Sequence, residues 1–354
     1  LSFTIFLLEF YCIEKLVSGS KKRYIIPLLI FPILLGNLHS SVFPVYFAIY
    51  LPYIAQFILV KLNLKSIKYD NKIIIENKNC KILVVLFFLS FLLGLCNPTT
   101  FSIYTDMFKA MNGMSPDIIA ELQPLNFFDS IYFSVLVIIT IAIIGFTKTK
   151  VKLTDCLYIL GFGLMSLSTY RCTFFFYLIS SICVFRIINT FLECYEIRIN
   201  LNKFVKTISS ILVCTLIFIV SLKKFSLNLS SEYVNRMDYP VDISNYILEN
   251  LNTEEMRIYN HFNFGSYLEF RGIKAFIDSR SGIFTPEFNE GCTVLEDWYA
   301  VENGQVNYKE IFEEYDITHV LVNKGCVIDN YIAYDNEWKV IYDIGTFILY
   351  EKVN

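Results

Sequence analysis

The sequence predicts a polytopic α-helical membrane part of about eight spans, residues 1–225, followed by a small extracytoplasmic α/β domain with a mixed sheet, residues 226–354. Three observations carry this. The 354 residues are 55% hydrophobic, 17% aromatic and only 18% charged, too few polar groups to cover a soluble globule of that size. The charge is divided: residues 1–225 hold 21 Lys and Arg against 11 Asp and Glu, whereas residues 226–354 hold 9 against 22. After Lys223 and Lys224 the pattern also changes from long apolar runs to short alternating units, the mark of α/β packing.

A bilayer core of about 30 Å takes roughly 20 residues of helix. Apolar runs read as spans over 1–18, 24–37, 42–60, 81–97, 130–147, 155–169, 172–192 and 204–222. The stretch 24–60 is interrupted by Pro27, Pro32, Pro44 and Pro52 around the polar knot Asn37-Leu38-His39-Ser40-Ser41, so a re-entrant pair is an alternative there. Leu1 stands in place of Met inside an apolar run and reads as the start of a fragment.

Orientation follows from the retention of Lys and Arg in short cytoplasmic loops. Lys21, Lys22 and Arg23 fill the first connection, and Lys61, Lys65, Lys68, Lys72, Lys78 and Lys81 surround the third. Lys148, Lys150 and Lys152 mark the fifth, and Arg198, Lys203 and Lys206 the seventh. The alternating connections are Asn37–Ser41, the 98–129 loop with one Lys and four acids, the turn Thr169–Arg171, and the C-terminal domain. All four are expected outside.

In the exported domain, helices are expected over Val241–Asn250, Gly265–Phe270, Tyr308–Tyr315 and Ile328–Tyr334. Strands are expected over Arg257–Asn260, Lys274–Asp278 and His319–Asn323, with a closing hairpin of Lys339–Tyr342 and Phe347–Glu351 turning at Ile344-Gly345. Most of the ten cysteines fall in apolar runs and act as small apolar residues; Cys292 and Cys326 lie in the exported domain, where they could pair. His261 and His319 lack zinc-type partners in sequence. No P-loop, dinucleotide fingerprint or nucleophile elbow is present, and the net charge of −13 over 226–354 argues against nucleic acid.

Polar residues at membrane depth are costly, so they are candidates for function. Asn37 and His39 in the first outer knot, Asn97-Pro98 at the end of the fourth span, Glu121 and Gln123 in the acidic loop, and Arg171 in the tight turn all belong to the same boundary. Competing roles are a core histidine for His39, a helix cap for Asn97, and a guanidinium reaching lipid phosphates for Arg171. A fixed guanidinium is equally suited to a phosphate or pyrophosphate. Asp278, ending an expected strand, and Arg280, in the loop Ser279–Gly282 that follows it, read first as a pair fixing that loop and second as ligand contacts. The in-span acids are counted as Glu9 and Glu14, too few for a secondary transporter.

The order of these elements resembles the bacterial and archaeal polytopic membrane proteins of the GT-C glycosyltransferase superfamily, in the branch related to dolichyl-phosphate-mannose protein mannosyltransferases. Leu35-Gly36-Asn37-Leu38-His39-Ser40-Ser41 is similar to a W-A-N-L-H-G element, Asn97-Pro98 to N-P-x-G, and Ala120-Glu121-Leu122-Gln123-Pro124 to an E-W-x-P loop. The second part adds Asn260 to Leu268, like N-x-x-x-x-G-x-Y-L, Phe276-Ile277-Asp278-Ser279-Arg280, like F-I-D-G-R, and Trp338 to Tyr342, like W-x-x-V-Y. Leu122 departs from the Trp of that pattern, and Ser40, Ser279 and Thr100 from its Gly.

The resemblance implies a multi-pass protein of a bacterial plasma membrane that transfers a sugar from a polyprenyl-phosphate-linked donor at the outer face, in contact with membrane lipid. Its substrate-binding residues would be Asn37, His39, Glu121, Arg171, Asp278 and Arg280. The acidic base that deprotonates the acceptor hydroxyl is expected upstream of Leu1, and the departing phosphate would be stabilised by Arg171 or by a bound divalent metal. The alternative is a non-catalytic envelope protein whose exported domain binds glycan or a protein partner.

Overall fold

The computed structural model describes residues 1–19, 22–62, 73–76, 80–112, 118–128, 130–197, 202–228 and 239–353, the side chains at 107, 110–112, 227 and 228 excepted. Lys21, Lys65, Lys68, Lys72, Lys78 and Arg198, which entered the reading of orientation, lie outside the described residues. The chain divides into two compact units, Leu1–Ile199 and Asn200–Asn354.

Helices in the first unit follow the apolar runs closely: Ser2–Val17, Ile25–Leu38, Lys81–Gly94, Ile131–Phe146 and Leu153–Ser168. Two longer helical stretches, Ser40–Lys61 and Tyr170–Cys194, are long and apolar enough to cross a membrane, as is Lys203–Ser226; Lys81–Gly94, Ile131–Phe146 and Leu153–Ser168 are shorter apolar helices. The prolines act where chemistry requires. Pro32, inside Ile25–Leu38, has no N–H for the carbonyl four residues earlier, and the buried Tyr46 hydroxyl donates to that carbonyl, Leu28 O, at 2.8 Å. Ser40–Lys61 breaks into a turn, Ser40–Val42, and helices Phe43–Ala48 and Leu51–Lys61, with Pro44 and Pro52 in the first turns of the two helices. Tyr158 donates to Ile49 O at that break, at 2.6 Å. In Tyr170–Cys194 a five-residue π-helical turn, Phe176–Ser180, interrupts the ladder.

Helix Lys203–Asn228, read from the sequence as the last span of residues 1–225, falls in the second unit. Its described side chains are exposed on every face, the surface a helix surrounded by lipid rather than protein would present.

The rest of the second unit is a four-stranded mixed sheet in the order β3-β4-β6-β5, formed by β3 Ile258–Asn260, β4 His319–Asn323, β5 Trp338–Ile344 and β6 Phe347–Lys352. Two short pieces of the first unit, β1 Ile73–Ile74 and β2 Val151–Lys152, pair separately in parallel. β3 and β4 run parallel, β4 and β6 antiparallel, and the β5–β6 hairpin lies at one edge as expected, its turn using Gly345 at φ +55. Alternation sends Ile258, Leu321 and Leu349 to a core shared with Ile243, Ile247 and Leu268 of helices Val241–Asn250 and Phe262–Phe270. On the other face Tyr259 meets Phe312 of helix Tyr308–Glu314, and Phe312 meets Trp338.

One expected strand is absent. Lys274–Asp278 forms no ladder, because the side chain of the fully buried Asn260 takes its backbone partners: Nδ2 donates to Ile277 O at 2.9 Å, and Oδ1 accepts from Phe276 N at 2.8 Å. The segment packs so closely on helix Phe262–Phe270 that a Cβ on Gly265 would fall 1.9 Å from Ile277 O. Helix Val294–Glu302 was not expected from the sequence. Cys292 and Cys326 are free thiols.

Candidate functional site

Within the first unit, one group of helix ends brings together most of the polar residues singled out by sequence. Asn37, in the last turn of Ile25–Leu38, donates through Nδ2 to Ile33 O and to Cys96 O, both at 2.8 Å. Its amide hydrogens therefore tie two helix ends together. Asn97 is a cap: Oδ1 accepts from Thr99 N at 2.8 Å and from Thr99 Oγ1 at 2.6 Å, and Nδ2 donates to Gly94 O. Thr100 follows in the left-handed region, φ +48, where the resembling pattern has Gly.

His39 breaks the chain between Ile25–Leu38 and Ser40–Val42, with φ −157 and ψ 71. Its Nδ1 lies 3.0 Å from Ser2 Oγ, which places the start of helix Ser2–Val17 at the same end. Burial and the neighbouring Arg171 guanidinium both lower the imidazole from its ordinary value, so His39 is neutral at physiological pH. Arg171, in the turn Tyr170–Cys172, places Nε 3.8 Å from Glu121 Oε2, with the two side chains 42% and 66% exposed. Tyr170 N donates to Gln123 O at 2.8 Å, fixing the Arg171 turn against the Glu121 turn. His39, Glu121 and Arg171, from three separate connections, are thus brought to one place. An exposed pair at 3.8 Å contributes at most about 1 kcal/mol, so the guanidinium fork stays available for a planar oxyanion.

Asp278 and Arg280 belong to the second unit and form a closed set. The buried Asp278 accepts from Arg280 N at 2.7 Å and from Arg280 Nε at 3.0 Å, and it also meets Nη2. Arg280 Nη2 reaches Glu269 Oε2 at 2.5 Å. Burial raises the Asp278 carboxyl, but the hydrogen bonds and charge of Arg280 outweigh it and hold it below the ordinary value of 3.8. The pair fixes the loop, as the first of the two sequence readings has it. His261 caps helix Phe262–Phe270, its Nδ1 accepting from Asn263 N at 3.3 Å, and His319 Nδ1 lies 2.8 Å from Thr318 Oγ1. Among the described residues no three His, Cys, Asp or Glu side chains converge as a metal site would require.

Sequence reasoning missed a second polar cluster in the first unit. Arg186 donates to both oxygens of Glu14, at 2.6 and 2.5 Å, and to Asp155 Oδ1 at 3.2 Å. Tyr53 donates to Glu14 Oε1 at 3.0 Å, and the guanidinium carbon lies 5.5 Å from the centre of the Phe10 ring. Counting only Glu9 and Glu14 as acids within apolar runs passed over Asp155, at the head of the run 155–169, and Arg186, inside 172–192. Charge inside an apolar window was the available signal. No protein-family model and no curated protein matches the chain.

Proposed function

We propose that this chain is a multi-pass, membrane glycosyltransferase-like protein that transfers a sugar from a polyprenyl-phosphate-linked donor at the outer membrane face. The observation that carries this is the meeting of neutral His39, Glu121 and the exposed guanidinium of Arg171 at one set of helix ends. A phosphate leaving group gains negative charge as the glycosidic bond breaks, and a fixed guanidinium stabilises that charge more in the transition state than in the ground state. Lys15 lies in the last turn of helix Ser2–Val17 and Lys61 at the end of the stretch Ser40–Lys61, whose other ends, Ser2 and Ser40, adjoin His39, and Lys81 opens the helix that ends at Gly94. That polarity suits a cytoplasmic face opposite the site. In this reading the eight apolar helices are spans and the C-terminal domain, residues 226–354, is extracytoplasmic.

The test uses membranes containing the full-length protein and polyprenyl-phosphate sugars. Arg171→Ala is expected to lower transfer about 100-fold, the size of one lost electrostatic stabiliser, and His39→Ala about 10-fold. Transfer unaffected by both substitutions rules out this site. Donor or glycan binding without any transfer assigns the chain to the non-catalytic envelope reading instead. A reporter fused after Asn354 is expected to be active only in an exported assay; activity in the cytoplasm reverses the orientation and the site with it.

A further inference from the structure

In the second unit, helices Val294–Glu302, Tyr308–Glu314 and Val327–Ile332 border a surface cleft of about 380 Å³, within the range of roughly 300–1,000 Å³ typical of small-ligand sites. Its polar side chains stand on helix ends. Helix Val294–Glu302 closes at Gly304, φ +63, where Gly304 N donates to Val301 O at 3.1 Å and Gln305 N to Ala300 O at 2.8 Å, the paired bonds of a Schellman end. Two residues on, Asn307 caps the next helix, its Oδ1 accepting from Lys309 N at 3.2 Å. Gln305 and Asn307 thus start from fixed backbone. The cap occupies only the oxygen of Asn307, so Nδ2 keeps both hydrogens, and the Gln305 side-chain amide has no partner among the described residues.

Two tyrosines complete the cleft. Tyr308, 8% exposed, donates its hydroxyl to Asp335 Oδ2 at 2.5 Å, which holds its ring as an inner wall. Tyr331 lies nearly parallel to it, ring centres 6.4 Å apart at 24°, and is 56% exposed. None of the lining residues is charged, although residues 226–354 carry 22 Asp and Glu against 9 Lys and Arg. The lining therefore holds nothing to balance an ionic ligand. Amides and phenols both donate and accept hydrogen bonds, as sugar hydroxyls do. An exposed ring face is negative and attracts the weakly positive C–H face of a saturated ring. A neutral sugar meets both demands at once, whereas an apolar side chain would cover the amides without pairing them. We propose that this cleft binds one or two neutral sugar residues, stacked on Tyr331 and hydrogen-bonded by Gln305 and Asn307. The site uses none of the residues assigned to sugar transfer and stands if that reading fails.

The purified full-length protein, in lipid nanodiscs free of sugar-based detergent, is titrated with cellobiose, maltose, mannobiose and N,N′-diacetylchitobiose, and binding is read by saturation transfer to the sugar protons. At least one is expected to bind, with a Kd on the order of 1 mM. Tyr331→Ala and Gln305→Ala should each raise that Kd about tenfold, the upper end of what one such contact contributes. Tyr331→Phe, which keeps the ring, should hold it within about threefold. The fluorescence of Trp298 and Trp338 reports whether each variant is folded, and Gln305→Ala carries the test if Tyr331→Ala is not. Glucuronic acid, the charged control, should not bind. Binding by none of the neutral sugars, equal binding of glucuronic acid, or a Kd unmoved by Tyr331→Ala or by Gln305→Ala overturns the site. Binding lost in Arg171→Ala but kept in Tyr331→Ala places the sugar in the first unit and overturns it as well.

Discussion

Both units hold an arginine between two carboxylates, yet the two clusters serve different ends. In the first unit Arg186 joins Glu14, 172 residues away, and Asp155, 31 residues away; its side chain is 32% exposed and Asp155 only 3%. In the second, Arg280 reaches Asp278, two residues away, and Glu269, 11 residues away, with its side chain 57% exposed. The long-range set fixes how three helices pack, around an Asp155 that is almost closed to solvent. The short-range set fixes one loop, with solvent at its rim. Position in the chain and access to water, rather than the type of pair, decide what each arginine contributes.

The largest expected effect follows from that difference. Arg186→Gln leaves Glu14 and the buried Asp155 without their cation, and breaking such a pair from one side costs about 3–5 kcal/mol. The loss should appear as earlier thermal exposure of the buried thiols Cys12 and Cys183 to a thiol-reactive dye. An unchanged thiol transition would mean that water or lipid headgroups already screen the network, and would erase the contrast with Arg280. In the second unit, Asn260→Ala removes the amide that replaces a strand ladder and leaves Ile277 O and Phe276 N unpaired, at about 2–4 kcal/mol. The chain's two tryptophans, Trp298 and Trp338, are both buried in this unit, so their fluorescence reports its melting alone. Asp278→Ala, read on the same signal, should cost about 1–2 kcal/mol, since the groups it frees on Arg280 can turn to water.

Features set by local chemistry were legible in the sequence. Apolar runs located the helices of the first unit, and Gly345 marked the hairpin because its turn requires φ > 0. His39, Glu121 and Arg171 could be placed at one boundary because the alternation of charged loops orders the helix ends. What escaped was decided at long range. Lys274–Asp278 has strand composition, but the Asn260 amide, 17 residues before Ile277, satisfies its backbone instead. Helix Val294–Glu302 did carry a local signal, with buried Leu295, Trp298 and Val301 at three-residue spacing and Gly304 just beyond its end. The tie between Glu14 and Arg186 spans most of the first unit, and no periodicity encodes it.

The smallest effect sharpens the comparison through pH. Hydrogen bonds and charge from Arg280 hold the folded-state Asp278 carboxyl below 3.8, its ordinary value and the one it has in the unfolded chain. A depressed carboxylate binds fewer protons when folded than when unfolded, so its stabilisation is complete above pH 3.8 and is lost as the pH falls through the lower folded value. The tryptophan-reported stability difference between the wild type and Asp278→Ala should therefore be constant from neutral pH down to about 5 and shrink below about 3.8. A difference that stays constant through that range would assign the Asp278 contribution to packing and neutral hydrogen bonding. Arg280 would then act as a spacer in the loop rather than as a cation, and the likeness between the two arginine clusters would be one of geometry and not of charge.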